Sequence, residues 1–307
     1  MRVAVFGGTG QIGSQVCQAL IACGCAVSSI SRSGAPAAAE PWTKQVSWIK
    51  ADMGSWDQAE RRWECAEGAA SSALAGVGGG VDCVVSCIGS GDLLKASADG
   101  WDVTGYKWSD ESLKFYAENY EPNVRVIAAA KEVGASRFVL VGASSEVEQG
   151  FGGPNPGLYT GKRSAYLAAL EAFGSDSFAC IAPTSVVDSK DDARMKMANS
   201  GFFGGLRAVN DVIGEIRSFG PDYANQARLA PPALTADVAL AVAATATGKV
   251  EIEESVRKAG MTTLNLVIER EQYEIADTLR HCDGNAAITA LARKAEAALL
   301  EENMRAL

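Results

Sequence analysis

Gly7, Gly10 and Gly13, spaced three apart in Gly7-Gly8-Thr9-Gly10-Gln11-Ile12-Gly13, are the residues of this chain with the clearest chemical meaning. They stand between a short apolar run, Val3-Ala4-Val5-Phe6, and a segment carrying Ile12, Val16, Leu20 and Ile21 at helical spacing. Between a strand and a helix, glycines serve three needs. The turn is tight, the backbone must come close to a diphosphate, and the helix must pack on the strand. Amides around Thr9 to Ile12 would then face a doubly charged group. A glycine triplet alone describes a plain turn, but in this strand-turn-helix context it predicts dinucleotide binding.

A second group of residues bears on which dinucleotide. Where an acidic side chain would hold the ribose hydroxyls of NAD, at the end of the second predicted strand, the chain has Ser31-Arg32-Ser33. A guanidinium flanked by two hydroxyls suits a 2′-phosphate, so NADP(H) is expected over NAD(H), against the plainer reading of Arg32 as a solvated loop residue. Asp52, just after the third strand, is the candidate for the adenine amine.

The elements that must position these residues alternate along the chain. Strands are predicted at Val3–Phe6, Ala26–Ser31, Val46–Lys50, Val81–Cys87, Phe138–Val141 and Phe178–Ile181. Helices are predicted at Gln11–Cys23, Asp57–Ala75, Asn123–Val133 and Lys162–Phe173, and part of the polar stretch between Asp92 and Tyr120 reads as an insertion on the rim. Strict alternation predicts an α/β fold with a doubly wound parallel sheet, covered by helices on both faces. After Pro183 the pattern loosens. Asp188–Arg194 is strongly charged and Phe202-Phe203-Gly204-Gly205 suggests a bend. The expected organisation is a nucleotide-binding domain over 1–183, a smaller substrate or lid lobe over 184–250, and a helical tail over 251–307. In the tail, Ile288, Leu291, Ala295 and Leu299 form one apolar face that should dock on its own domain.

Bulk composition narrows the function classes. A net charge of -9 and a pI near 4.9 argue against a nucleic-acid partner, which would need clustered Lys and Arg. The eight cysteines form no C-x-x-C pair, and in a chain of 307 residues they do not read as a disulfide framework. Cys83 and Cys87, four apart, should share a strand face in the core. The single histidine, His281, makes a metal site unattractive. No apolar run approaches the ~20 residues that span a bilayer. Met1 to Phe6 already read as a core strand, so no targeting segment is expected within the chain.

Val5–Gly13 followed by Ser29-Ile30-Ser31-Arg32-Ser33-Gly34 resembles the extended, atypical short-chain dehydrogenase/reductases. Val85-Ser86-Cys87-Ile88-Gly89, Asn119–Asn123, Ala128–Lys131, Arg137-Phe138-Val139, Tyr159–Arg163, Ala230-Pro231-Pro232 and Asp237-Val238-Ala239 follow in the order of that group. Within it the chain is most similar to NAD(P)-binding proteins of plastoglobules and mitochondria, including the dehydrogenase-like factor of ubiquinone synthesis. It is more distantly like the nucleotide-binding accessory subunit of complex I. The resemblance implies a Rossmann fold holding NADP(H), residence inside a plastid or mitochondrion, and a link to quinone or prenyl-lipid metabolism. It also places Ile88, Gly89, Lys162 and Pro183 among the cofactor contacts.

Catalytic members of the group carry a Tyr four residues before a Lys. The phenol acts as general acid/base, and the ammonium lowers its pKa and holds the nicotinamide ribose. Here Tyr159 stands three residues before Lys162, and Leu158 occupies the expected position. Three and four residues apart both bring helix side chains near one face. Ser144 and Ser145 match the serine that orients the substrate carbonyl, and Ala182 replaces a common arginine before Pro183. The expected function is an NADPH-dependent reduction of a small carbonyl, quinone-like or flavin-like substrate. The alternative is a non-catalytic NADP(H)-holding accessory subunit of an organellar complex. A nucleotide-sugar epimerase or dehydratase ranks third, because the second half is acidic and poor in histidine.

Overall fold

The computed structural model describes residues 1–38, 40–90, 110–144, 156–192, 195–196, 232–250 and 280–305. The central strand is β1 (Arg2–Phe6), whose Val3, Ala4, Val5 and Phe6 have no solvent exposure. A strand buried on both faces needs helices above and below it, and its alternate side chains supply two separate cores. Val3 and Val5 meet α1 (Gln11–Ala22) on one side, whereas Ala4 and Phe6 enter the core on the other.

β2 (Ala26–Ser31) and β3 (Val46–Lys50) extend the sheet from one edge of β1. β6 (Cys83–Ser86), β7 (Arg137–Val141) and β8 (Phe178–Ala182) extend it from the other. All of these pairings are parallel. A last strand, β11 (Arg280–Asp283), pairs in parallel with β8, and the order across the sheet is β11-β8-β7-β6-β1-β2-β3. The fold is therefore the expected doubly wound Rossmann type. The order reverses between β1 and β6, which opens a crevice above the carboxyl ends of those two strands.

One face is covered by α2 (Ala69–Ala75), α3 (Asp110–Glu132) and α4 (Pro156–Ser177). The other is covered by α1, α5 (Thr235–Thr247) and α6 (Asn285–Arg305). α5 is alanine-rich and buried along almost its whole length, which lets α1 and α6 pack against it from either side. Ile288 and Leu291 of α6 join this core and Ala295 is buried too, so the apolar face foreseen there docks on its own domain. The C-terminal segment, expected to be mostly helical, thus contributes a strand as well as a helix. Within the looser stretch after Pro183, β9 (Val186–Val187) and β10 (Ala233–Leu234) form a small parallel pair. The bend anticipated at Phe202–Gly205 lies outside the described residues, as do Ser145, Ala230 and Pro231.

Two expectations need correction. A single helix over Asp57–Ala75 is absent; β4 (Ser55–Asp57) and β5 (Arg62–Glu64) form an antiparallel hairpin there, and the helix is confined to Ala69–Ala75. Local chemistry explains the difference. The Asp57 carboxylate accepts from the Ala59 and Glu60 amides at 2.8 and 3.0 Å, closing a turn, and Arg61 adopts a left-handed φ of 50°. Trp56 then faces Trp63 across the hairpin. The second correction is that the helix expected from Asn123 already begins at Asp110. Its acidic first turn, Asp110 and Glu111, suits the positive end of a helix. Residues 91–109 lie outside the described set.

All eight cysteines are unpaired. Cys83 and Cys87 pack into the same core, as their spacing implied. Burial pushes the Cys17, Cys83 and Cys282 thiols up to about 12 and raises Cys87 and Cys180 as well, which makes them poor nucleophiles.

Phe138 is fully buried and lies between Phe173 and Phe178, with ring centroids at 5.3 and 6.4 Å. Phe138→Ala should cost about 3–5 kcal/mol of unfolding free energy, read as a lower denaturant midpoint. A change below 1 kcal/mol would show that these rings do not hold α4 to the sheet.

Candidate functional site

The loop after β1 folds as its glycines require. Gly7 has a φ of 83°, which L side chains rarely adopt, and its carbonyl accepts from Gly10 N at 3.0 Å. Gly13 packs directly on Gly7: a Cβ there would overlap the Gly7 carbonyl oxygen and lie 2.9 Å from the Gly8 Cα. Gly10 is the N-cap of α1, no side chain caps this end, and the first turn carries no acidic residue. The amides of Gln11, Ile12 and Gly13 therefore form an electropositive helix start without a capping side chain.

In front of this turn lies a cleft of about 530 Å³. Of the residues expected to contact a dinucleotide, Gly7, Thr9, Gly10, Ser31, Arg32, Ser33, Asp52, Ile88 and Gly89 line it. These come from the carboxyl ends of β1, β2, β3 and β6, so four separate segments converge on the switch point. Gln11, Ile12, Gly13, Lys162, Pro183, Ser144 and Tyr159 are not part of its lining. Gln11 instead donates to Asp188 at 2.9 Å, and Asp188 also accepts from Thr235 at 2.8 Å. This ties the start of α1 to the segment after β9 and to α5.

At one end of the cleft the Ser31 hydroxyl donates to the Gly34 carbonyl at 2.8 Å and lies 3.5 Å from the Ser33 hydroxyl. This tight turn leaves Arg32 and Ser33 exposed at the lip. No carboxylate occurs within three residues of Arg32 in sequence. Asp52 accepts from the Gly54 amide at 3.1 Å, so one of its oxygens already holds the following turn. Trp56, Trp63 and Met53 complete this end. None of the three stood out in the sequence, because Trp63 fell inside a supposed helix and Met53 and Trp56 just ahead of it; the spacing of the two tryptophans on either side of a turn-forming Asp57 was the signal available.

The opposite end is built by a polar network. Ser86 Oγ donates to Asn123 Oδ1 at 2.6 Å, and Asn123 Nδ2 reaches the Ile88 carbonyl at 3.3 Å. Asn119 Nδ2 donates to the Ser90 and Phe115 carbonyls at 3.0 and 2.8 Å. Both asparagines are fully buried, one helical turn apart on α3, and together they hold the loop after β6. Lys162 Nζ donates to the Ile88 carbonyl at 2.6 Å and to the Val141 carbonyl at 3.0 Å, clamping the ends of β6 and β7. Gly89 is small for a reason, since a Cβ would come within 2.5 Å of Lys162 Nζ and 2.8 Å of Asn119 Oδ1.

Ser144 is buried, and its amide donates to the Pro183 carbonyl at 3.1 Å, so Ser144, Pro183 and Lys162 gather at the ends of β7 and β8. Tyr159 is 4% exposed and packs with Phe115, Leu158 and Ala143. It shares α4 with Lys162 but sits in an apolar cluster of its own.

The model of a family described as NAD(P)H-binding matches residues 7–172, which takes in the glycine loop, the cleft and Lys162. The chain belongs to this NAD(P)H-binding family. Its cofactor is a nicotinamide dinucleotide, and the glycine cradle and bare helix start fit one. An uncharacterised chloroplastic protein of Arabidopsis thaliana is 31% identical over 261 residues, covering 78% of this chain and 70% of the relative. Among solved structures, a short-chain dehydrogenase/reductase from Serratia marcescens is 18% identical, with 80% of this chain and 89% of that one covered at a TM-score of 0.47. The Bordetella bronchiseptica enzyme WbmH, in complex with NAD+, is 16% identical over 80% of this chain and 72% of its own at a TM-score of 0.46. Among the described residues no helix is long and apolar enough to cross a membrane, and no group of His, Cys, Asp and Glu could hold a metal ion.

Desolvation lowers the pKa of Lys162 from the ordinary 10.5 to about 8. Between those two pH values the unfolded chain binds more protons than the folded one. The cost of burying the charge is therefore present in full below pH 8 and relieved as pH rises toward 10.5. The buried thiols act oppositely above pH 9, so the comparison must be differential. Relative to Lys162→Met, the wild type should gain up to about 3 kcal/mol across this window in denaturant melts. Parallel pH curves for the two proteins would remove the burial argument.

Proposed function

We propose that the chain is an NADPH-dependent reductase of the short-chain dehydrogenase/reductase type, acting on a small carbonyl, quinone-like or flavin-like substrate inside an organelle. The observation that carries this reading is one cleft with an uncapped helix start at its centre, Arg32 at its lip and the Lys162-clamped loop at its inner end. The chloroplastic name of the Arabidopsis relative favours a plastid and agrees with the resemblance to plastoglobule proteins.

In this reading the amides of Gln11, Ile12 and Gly13 hold the diphosphate, while Gly7 and Gly10 leave room for it. Arg32 and Ser33 take the 2′-phosphate by charge-assisted hydrogen bonds. Asp52 turns its second oxygen to the adenine amine. Ile88 and Gly89 shape the passage toward the nicotinamide end, where Lys162, Ser144 and Pro183 lie. The bound dinucleotide supplies a hydride to the substrate. Lys162 keeps the loop open and holds a proton near neutral pH, Ser144 orients the carbonyl, and Tyr159 or water provides the balancing proton. In this organisation residues 1–183 are the nucleotide domain, 184–250 a smaller substrate lobe that completes the same unit through α5, and 251–307 the terminal segment that adds β11 and α6.

An accessory role limited to holding the nucleotide competes with this reading, and the burial of Tyr159 among Phe115, Leu158 and Ala143 is the observation on its side. Turnover by the wild type separates the two, since an accessory protein would show none, and Tyr159→Phe then tests the proton donor. Loss of a general acid typically costs 10²–10⁴ in rate, so NADPH oxidation with a panel of quinones, flavins and aldehydes should fall at least ~100-fold while NADPH affinity is kept. Undiminished turnover would give the proton to water.

For the nucleotide itself, calorimetry should show NADPH binding more tightly than NADH. Arg32→Ala should remove about 1.5–3 kcal/mol of that preference and leave NADH unchanged. Equal affinities in the wild type would exclude Arg32 as a phosphate ligand.

A further inference from the structure

The crossover from β3 to β6 does not run straight into a covering helix. It first makes the β4–β5 hairpin, whose Trp56 and Trp63 line the same cleft as Arg32 and Asp52. Directly opposed residues of an antiparallel pair point to one face, so Trp56 and Trp63 present their indoles on the same side of the hairpin. Both line the cleft, and both are half-buried.

The hairpin is fastened so that this face is held. Trp63 Nε1 donates to the Met53 carbonyl at 2.9 Å, which ties the second strand back to the chain leaving β3. Gly54 allows that approach, since a Cβ there would lie 2.5 Å from Trp63 Nε1 and 2.8 Å from the Cys65 Cβ. Its φ of 104° independently excludes most side chains. At the hairpin tip, Arg61 pairs with Asp110 at the start of α3 at 2.5 Å. The indole nitrogen of Trp63 is thus committed to structure and Trp56 Nε1 donates to Gln58 at 3.2 Å, so what the two side chains have left to offer a ligand is their ring surface.

We propose that Trp56 and Trp63 form an aromatic platform that binds the adenine ring, making the hairpin the base-recognition element of the site. This rests on the nucleotide reading above. A π-face is shared by every base, whereas the 2′-phosphate is not. The platform therefore supports NAD(H) and NADP(H) equally and leaves the choice between them to Arg32.

The test is calorimetry of NADPH, NADH and 2′,5′-ADP on the wild type, Trp56→Ala, Trp56→Phe and Arg32→Ala, with circular dichroism as a check on folding. Base–aromatic stacking predicts a loss of roughly tenfold to hundredfold for all three ligands in Trp56→Ala, and largely restored binding in Trp56→Phe. Trp63→Phe, which keeps a ring but not the bond to Met53, should weaken binding less than Trp56→Ala. Wild-type affinity in a folded Trp56→Ala overturns the platform and leaves the nucleotide reading standing. So does a loss confined to NADPH and 2′,5′-ADP, which would place Trp56 with Arg32 at the phosphate. A wild type that binds none of the three ligands removes both proposals.

Discussion

The contact on which the site depends is the docking of the first turn of α1 on the Gly7 carbonyl. Nothing larger than a hydrogen fits on Gly13 at that point, and the approach aims the α1 axis at the cleft. A helix start aimed this way leaves several amides without intrahelical partners, and here no side chain caps them. Most helices would satisfy such amides with a serine, threonine or aspartate. Leaving them bare costs stability, and an anion that accepts their hydrogen bonds offsets the cost. The fold and the ligand are in this sense two halves of one electrostatic arrangement.

The rest of the sheet serves that arrangement by bringing loop ends together. β1 and β6 are adjacent in the sheet but separated in sequence by about eighty residues, and their parting above the sheet makes the crevice. Asn119, Asn123 and Lys162 satisfy the carbonyls of the loop after β6, and Ser86 holds the Asn123 side chain for that task. Lys162 accordingly has two duties that pull against each other. It clamps two strand ends, which requires burial, and in the proposed reaction it would also carry a charge toward the nicotinamide; burial lowers its pKa to about 8, so at neutral pH it still holds the proton at some cost in stability.

Much of this was legible because parallel sheets impose simple patterns. Buried strands such as Val3–Phe6 read as continuous apolar runs, and the glycine spacing has a geometric cause that holds wherever a strand feeds a phosphate-binding helix. The crossover after β3 was not legible in the same way. Asp57–Ala75 is polar and alanine-rich, which satisfies helical periodicity loosely, and the Asp57 turn with Arg61 in a left-handed conformation outweighs it. The strand Arg280–Asp283 was likewise hidden, since an edge strand of four residues with charged ends carries little periodic signal, and its partner β8 is about a hundred residues away in sequence.

The amino-acid sequence by itself determined the sheet type, the glycine turn and the basic residue at the second strand, since each follows from contacts between near neighbours in the chain. Tertiary structure alone decided that Trp56 and Trp63 face the cleft, that Lys162 reaches the ends of β6 and β7, and that Tyr159 lies in an apolar cluster rather than along the cleft. Those outcomes depend on how a hairpin, a loop and two helices from distant parts of the chain are packed together. Side-chain direction in such packing is set by the neighbours that fill the remaining space, and spacing along the chain does not encode them.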